Sequence, residues 1–201
     1  MKKHQIRIVG GHYRRTVIPV PEGDHLRPTP DRVRETLFNW LTHFWGADFQ
    51  DRQVLDLFAG TGALGFEAAS RGAGRVQLVE RAPAALSALR ALQSRLQAPA
   101  VDVHAGDALA YLQAQARATY DLILLDPPFG DPWMARLWPL LPRALQHGGL
   151  LYLEADASAA APEGWQLLRQ GRAGQVHYHL FLFAAAQENM NNGLMHNRET
   201  A

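Results

Sequence analysis

The chain contains no cysteine. Disulfides, thiolate zinc sites and cysteine nucleophiles are thereby excluded, and the composition suits a reducing compartment, the cytoplasm. Long apolar runs are missing too. Met1-Lys2-Lys3-His4-Gln5-Ile6-Arg7 is basic, but no apolar segment follows it. Neither a secretion signal nor a membrane span is expected. No internal repeat is present. Net charge is small, at +1 over 201 residues, but it is unevenly spread. Residues 1–34 hold eight Lys and Arg against three Asp and Glu, a local +5 that leaves −4 for the remainder. A basic front on a mildly acidic body suits a polyanionic partner; charge alone fits a plain solvated face equally well.

What the chain does have is centred on one stretch. Tyr120-Asp121-Leu122-Ile123-Leu124-Leu125 is an apolar run of buried-strand type, and Asp126-Pro127-Pro128-Phe129 follows it. Proline donates no backbone hydrogen bond, so the strand must stop there. A carboxylate, a stiffened carbonyl and an aromatic ring then emerge together at a strand's C-terminal end. In open α/β sheets that edge is where ligands bind. The Asp126 carboxylate and the Pro127 carbonyl are both acceptors, which suits an exocyclic amine with two hydrogens to give. Phe129 is placed to stack on the ring carrying that amine.

The rest of the chain alternates strands and helices. Ile6–Val9 and Thr16–Val20 flank Gly10-Gly11 and read as a small hairpin. Thr29-Pro30-Asp31 reads as a helix start with Thr29 as N-cap. Val33, Leu37, Trp40, Leu41 and Phe44 then form one apolar stripe, with Arg32 and Glu35 off it. Val54–Phe58 reads as a strand, followed by Ala59-Gly60-Thr61-Gly62-Ala63-Leu64-Gly65 and a helix to about Arg71. The glycines permit a tight turn and close approach to a ligand. Glu80 ends the next strand, Val76–Val79, at the spacing where a carboxylate accepts from ribose hydroxyls. After a helix from about Pro83 to Leu96, Val101–Ala105 is a strand leading to Gly106-Asp107. Asp107 either accepts from an adenine amine or N-caps the next helix. His104 reads as a strand residue. A helix from Asp131-Pro132 to Gly148-Gly149, a strand over Leu150–Glu154, and a final antiparallel pair ending at Phe183 complete the body. His177 and His179 alternate on a face expected to be exposed.

The alternation predicts an α/β, doubly wound, Rossmann-like fold. Its seven-stranded sheet is mainly parallel with one antiparallel strand, and a small N-terminal β-hairpin extends it. The expected organisation is a basic hairpin or arm over residues 1–28, a body over 29–186 and a disordered, asparagine-rich tail over 187–201.

These residues carry a resemblance. Asp56-Leu57-Phe58-Ala59-Gly60-Thr61-Gly62, Glu80, Gly106-Asp107 and Asp126-Pro127-Pro128-Phe129 resemble the successive motifs of class I S-adenosylmethionine-dependent methyltransferases acting on exocyclic amines. Arg7–Gly11 and Arg27–Leu41 narrow this, because they resemble the RsmD family, whose members methylate guanine N2 in bacterial 16S ribosomal RNA. The likeness spans about residues 6–184. One departure is Arg14-Arg15-Thr16, where the family pattern has an Arg-Gly-Arg-like run.

The resemblance implies roles. Gly60 and Gly62 approach the methionine part of the cofactor, Asp56 helps hold its amino group, Glu80 binds the ribose and Asp107 the adenine. Asp126 and the Pro127 carbonyl hold the guanine amine, and Phe129 stacks on the base. The basic front, with Arg7, Arg14 and Arg15, is expected to contact RNA, either naked or within an assembling small ribosomal subunit. A monomer with no metal is expected. Two other readings compete: adenine-N6 methylation on DNA or RNA, and a dinucleotide-dependent oxidoreductase. The oxidoreductase fits Gly60, Gly62, Gly65 and Glu80 but leaves Asp126-Pro127-Pro128-Phe129 without a task.

Overall fold

A computed structural model of the chain describes residues 6–20, 29–128 and 132–184. Its centre is a seven-stranded sheet. The strands are β3 (Gln53–Asp56), β4 (Arg75–Glu80), β5 (Val101–Ala105), β6 (Tyr120–Leu125), β7 (Leu145–Ala155), β8 (Trp165–Ala173) and β9 (Val176–Phe183). Their spatial order is β5-β4-β3-β6-β7-β9-β8. Pairing is parallel from β5 to β7, and β9 runs antiparallel to both its neighbours. The chain winds outward from β3 to β5, then crosses back to lay β6 on the other side of β3. A crevice must open where the winding reverses, between the ends of β3 and β6.

Both faces of the central strands are buried, as parallel strands require. Side chains alternate along each strand. Val54, Leu78, Leu122, Leu124 and Tyr152 enter one apolar cluster. Leu55, Val79, Ile123, Leu125 and Leu153 enter the other. The first is covered by α1 (Asp31–Trp45), α2 (Ala63–Ser70) and α3 (Pro83–Leu96). The second is covered by α4 (Ala108–Gln113), α5 (Trp133–Leu137) and a 3-10 turn at Leu141–Arg143.

Of the expected stripe on helix α1, Val33, Leu37 and Leu41 are buried and Trp40 and Phe44 pack half-buried against the core; Phe38, not expected there, is buried as well. The start of α1 differs from expectation. Pro30 occupies the cap position without a side-chain bond, and the Thr29 hydroxyl donates instead to Glu154 Oε1 at 2.8 Å. The hydroxyl is turned toward the buried carboxylate, to which its proton makes a charge-assisted bond. Arg34, counted with the basic front, is 1% exposed. Its guanidinium donates to the Thr29 carbonyl at 2.9 Å, the Asp31 carboxylate at 2.8 Å and the Arg7 carbonyl. It holds the front of the chain in place and is no part of a surface patch.

The hairpin is β1 (Ile6–Arg7) paired with β2 (Val17–Ile18). Gly10-Gly11 is not its two-residue turn; the connection runs from Ile8 to Thr16 and lies against α2. Gly11 has φ 73°, and a Cβ there would sit 1.8 Å from the Ser70 carbonyl oxygen. Arg15 takes the left-handed position, φ 70°, where the family pattern has glycine, and its N–H still reaches the Ile8 carbonyl at 2.8 Å.

Three further expectations are corrected. The helix expected up to Gly148 is short, because Pro139 and Pro142 cannot continue it. Strand β7 therefore begins at Leu145 and carries Gly148-Gly149 inside it. Strand β8, expected over Trp165 to Leu168, runs on to Ala173. His179 is buried, not exposed, and its Nε2 accepts from the Ala159 N–H at 3.2 Å. Burial pushes its pKa below the usual imidazole value. Residues 187–201 and Phe129 lie outside the described residues.

Candidate active site

The crevice at the switch point is lined from four strand ends. Leu57, Phe58 and Gly60 follow β3; Val79, Glu80 and Arg81 end β4; Gly106, Asp107 and Ala108 follow β5; Asp126 and Pro128 follow β6, and Trp133 of α5 closes one wall. Phe58 and Trp133 meet edge to face at 5.1 Å. The walls are thus largely apolar and the rim carries carboxylates, a form that suits a flat ring bearing hydroxyl and amine donors.

The glycine turn is fixed from below. The N–H of Gly62 bonds the Ala59 carbonyl at 2.6 Å, and Gly62 has φ 77°, a conformation that disfavours any side chain. Glu80 holds this turn. Its Oε2 accepts the Gly60 N–H at 2.8 Å, and its Oε1 accepts the N–H groups of Arg81 and Ala82 at 2.7 Å each. A carboxylate offers about four acceptor sites, so Glu80 keeps capacity for a ligand hydroxyl while shaping the loop beneath it.

Asp107 realises one of its two readings. It N-caps α4, with Oδ1 accepting from Leu109 and Ala110 at 2.9 and 3.1 Å. It lines the crevice as well. Asp56 and Gly62 stand behind the crevice wall. Asp56 is 1% exposed, and its Oδ2 accepts the Gly65 N–H at 2.9 Å. Burial pushes its pKa up to about 7, opposed by that N–H and reinforced by the charges of Glu80 and Glu154.

Asp126 is different. It is half-buried, lines the crevice and has no hydrogen-bond partner among the described residues. Burial raises its pKa well above the usual carboxylate range, and the nearby charges of Glu154 and Asp56 raise it further. An acceptor left unsatisfied in a crevice is where a donor ligand gains most. Pro127 is buried and Pro128 exposed beside it.

Glu154 was not singled out in the sequence. Leu124 pairs with Tyr152 and Leu125 with Leu153, so the next positions, Asp126 and Glu154, are neighbours. Glu154 is buried, and its Oε1 accepts from Thr29 and from the Tyr152 hydroxyl at 2.8 and 2.9 Å. The available signal was an acid ending an apolar strand at the same sheet edge. Glu80, Asp56, Asp126 and Glu154 thus stand in a row across β4-β3-β6-β7. Such a concentration of carboxylates favours a cationic ligand.

Arg7, Arg14 and Arg15 are exposed. Arg7 lies near the front of α1, through the bond of its carbonyl to Arg34. Arg14 and Arg15 belong to the loop that bonds Ser70, at the end of α2 remote from the glycine turn.

A parallel sheet closed by antiparallel β9, a glycine turn after β3 and an Asp-Pro-Pro turn at the switch point define the class: a Rossmann-like fold of the methyltransferase type. The family model described as conserved hypothetical protein 95 matches residues 6–182. The chain belongs to this family. It is 40% identical over 182 residues to ribosomal RNA small subunit methyltransferase D of Escherichia coli K12, covering 88% of this chain and 89% of that protein. It is 36% identical over 186 residues to the Haemophilus influenzae protein of that name, covering 89% and 94%. The solved structure of Escherichia coli yhhF, 40% identical, superposes with a TM-score of 0.79 over 90% of this chain and 99% of its own.

Proposed function

We propose that this protein methylates the exocyclic N2 amine of a guanine in small-subunit (16S) ribosomal RNA, with S-adenosylmethionine as donor. The observation that carries the reading is Asp126: a crevice carboxylate with no donor among the described residues, beside two prolines at the switch point. The relatives, named as ribosomal RNA methyltransferases, suggest the ribosomal RNA, and the basic front supplies a surface for phosphates.

The cofactor supplies a sulfonium-activated methyl group, so the protein's task is positioning. Glu80 and Asp107 offer acceptors to ribose and adenine, and Gly60 lets the backbone come close. Asp56 acts from behind, fixing the start of α2 through Gly65. Asp126, with the Pro127 carbonyl, takes the two amine hydrogens and turns the nitrogen lone pair outward. Aligned placement at about 3–3.5 Å can lower the barrier by several kcal/mol. Asp126 also faces the positive charge that develops on nitrogen. Phe129, outside the described residues, keeps its proposed stacking role. An unpaired guanine costs less to expose than a paired one.

The test is nucleoside mass mapping of ribosomal RNA from a strain lacking this protein. One N2-methylguanosine should disappear and return on complementation. Loss of an N6-methyladenosine instead would replace guanine with adenine; an unchanged methylation map would remove ribosomal RNA as substrate.

A further inference from the structure

We propose that Glu154 is a positioning residue for this reaction: a fixed anion on the neighbouring strand end that keeps a proton on Asp126 until a cationic methyl donor and a substrate amine enter the crevice. The inference rests on the proposed role of Asp126.

The geometry begins with register. Asp126 and Glu154 follow the paired residues Leu125 and Leu153 on adjacent parallel strands, and both point to the face that carries Leu124 and Tyr152. Two acids held side by side away from water cannot both ionise readily. The proton belongs on whichever has fewer donors to stabilise its charge. Glu154 has two hydroxyl donors on Oε1, from Thr29 and Tyr152. Arg34 stands behind Thr29, donating to its carbonyl. Asp126 has no donor among the described residues. Glu154 is therefore the anion and Asp126 the protonated partner.

The other charged and titratable neighbours agree. Asp56 on β3 and Glu80 on β4 are acids and add no positive charge on the Asp126 side. Tyr152 is a phenol whose pKa burial and the Glu154 charge raise well above its usual value. Arg34 of α1 is the cation, and it acts on Glu154. Burial raises both acids, while Thr29, Tyr152 and Arg34 draw Glu154 back down.

The consequence is a timed base. In the free protein Asp126 is neutral, which avoids two adjacent anions at the crevice. A cation in the crevice and the N–H groups of an amine favour its charged form, and it releases its proton to water. As a carboxylate it then accepts one amine hydrogen while the Pro127 carbonyl takes the other. After the nitrogen has gained the methyl group and a positive charge, one N–H proton passes to Asp126, which restores the starting state. The Glu154 charge makes Asp126 a stronger acceptor for that proton than an isolated carboxylate.

The experiment is a carbon-13 NMR titration of aspartate carboxyl groups in the ligand-free protein, with D126N identifying the Asp126 signal. Wild-type Asp126 should titrate above the ordinary carboxylate range. E154Q should lower its midpoint by about one pH unit or more. T29V and Y152F strip donors from the Glu154 anion, so the proton shifts toward Glu154 and Asp126 moves down by a smaller amount. The acid limb of the pH dependence of kcat/KM should follow the same order. An unmoved Asp126 midpoint in E154Q that still binds cofactor would overturn the proposal. So would an upward shift in T29V or Y152F, which also serve if E154Q does not fold. Near-normal turnover in D126N would instead sink the parent reading of Asp126, leaving the proton placement to the titration.

Discussion

The buried carboxylate of Glu67, in the middle of α2, accepts the backbone N–H of Gly10 at 2.8 Å. Its other oxygen accepts the Val9 N–H at 2.6 Å, and the Arg71 guanidinium donates to the first, Gly10-bound oxygen at 2.8 Å. The basic hairpin is therefore clamped to the helix that follows the glycine turn. Ile6, Ile8 and Ile18 of the hairpin enter the same apolar cluster as Leu37 and Phe66. Glu67→Ala would leave two N–H groups and a guanidinium without their acceptor. It should cost about 2–5 kcal/mol in urea denaturation. A cost below about 0.5 kcal/mol, the range of ordinary surface changes, would mean that water replaces the clamp and the hairpin is loosely held.

The sheet was legible because parallel strands buried on both faces read as apolar runs, and their C-terminal ends were marked by Asp56, Glu80, Asp107 and Asp126. The crevice followed from that. Tertiary contacts were not legible. Thr29 has the signature of an N-cap, and only the return of β7 beside it shows that its hydroxyl serves Glu154. Arg34 reads as surface charge until Arg7, Thr29 and Asp31 surround it. Gly10-Gly11 reads as a turn, but its glycines answer to Arg71 and Ser70 some sixty residues away. The short α5 was readable from Pro139 and Pro142, neither of which can continue a helix.

Asp56 gives a pH prediction. Its carboxyl titrates near 3.8 when unperturbed and near 7 in the fold. Below about pH 4 it is protonated in both states, and its contribution to stability is fully present. Between about pH 4 and 7 the unfolded chain ionises first, so stability falls as pH rises through the folded value. Asp56→Asn keeps an oxygen for the Gly65 N–H and removes the buried charge. It should stabilise the fold at pH 8 by on the order of 2–4 kcal/mol and have little effect at pH 4. Chemical denaturation at the two pH values reads this directly, and equal differences at both would show that Asp56 does not titrate in that window.

Glu80 and Asp126 should separate binding from chemistry. Glu80→Ala removes a ribose acceptor and the anchor of Gly60, so affinity for S-adenosylmethionine should fall by roughly 1.5–3 kcal/mol for a charged hydrogen bond, with any loop disorder adding to it. Calorimetry measures it; unchanged affinity in a folded variant would falsify the assignment.

Asp126→Ala should bind cofactor nearly as well as the wild type, because its proposed partner is the amine. Single-turnover methyl transfer to small ribosomal subunits or their RNA should fall on the order of 100-fold or more, as for loss of one positioned electrostatic group. A rate near normal would remove Asp126 from the chemistry and return the Asp-Pro-Pro turn to a purely structural role.

The exposed arginines of the hairpin carry the last prediction. Arg14 and Arg15 sit where the loop meets Ser70, while the glycine turn lies at the other end of α2. Eight helical residues at 1.5 Å each separate those ends by about 12 Å. RNA that reaches the crevice and the loop together must run along this side of the molecule, with phosphates near Arg7, Arg14 and Arg15. Each neutralised phosphate contributes a slope of about −0.7 to −0.9 to the dependence of log affinity on log salt. Replacing the three arginines with alanine should weaken RNA binding and flatten that slope by about 2–3 units. Alanine at Arg15 keeps the left-handed backbone no worse than arginine does, and the Glu67 clamp uses only main-chain groups of the hairpin. Fold and cofactor affinity should therefore survive, which calorimetry and circular dichroism would verify. The measurement is affinity for small-subunit RNA or particles at several salt concentrations. Coincident salt plots for wild type and triple variant would make these arginines a solvated face and move RNA recognition to the crevice rim itself.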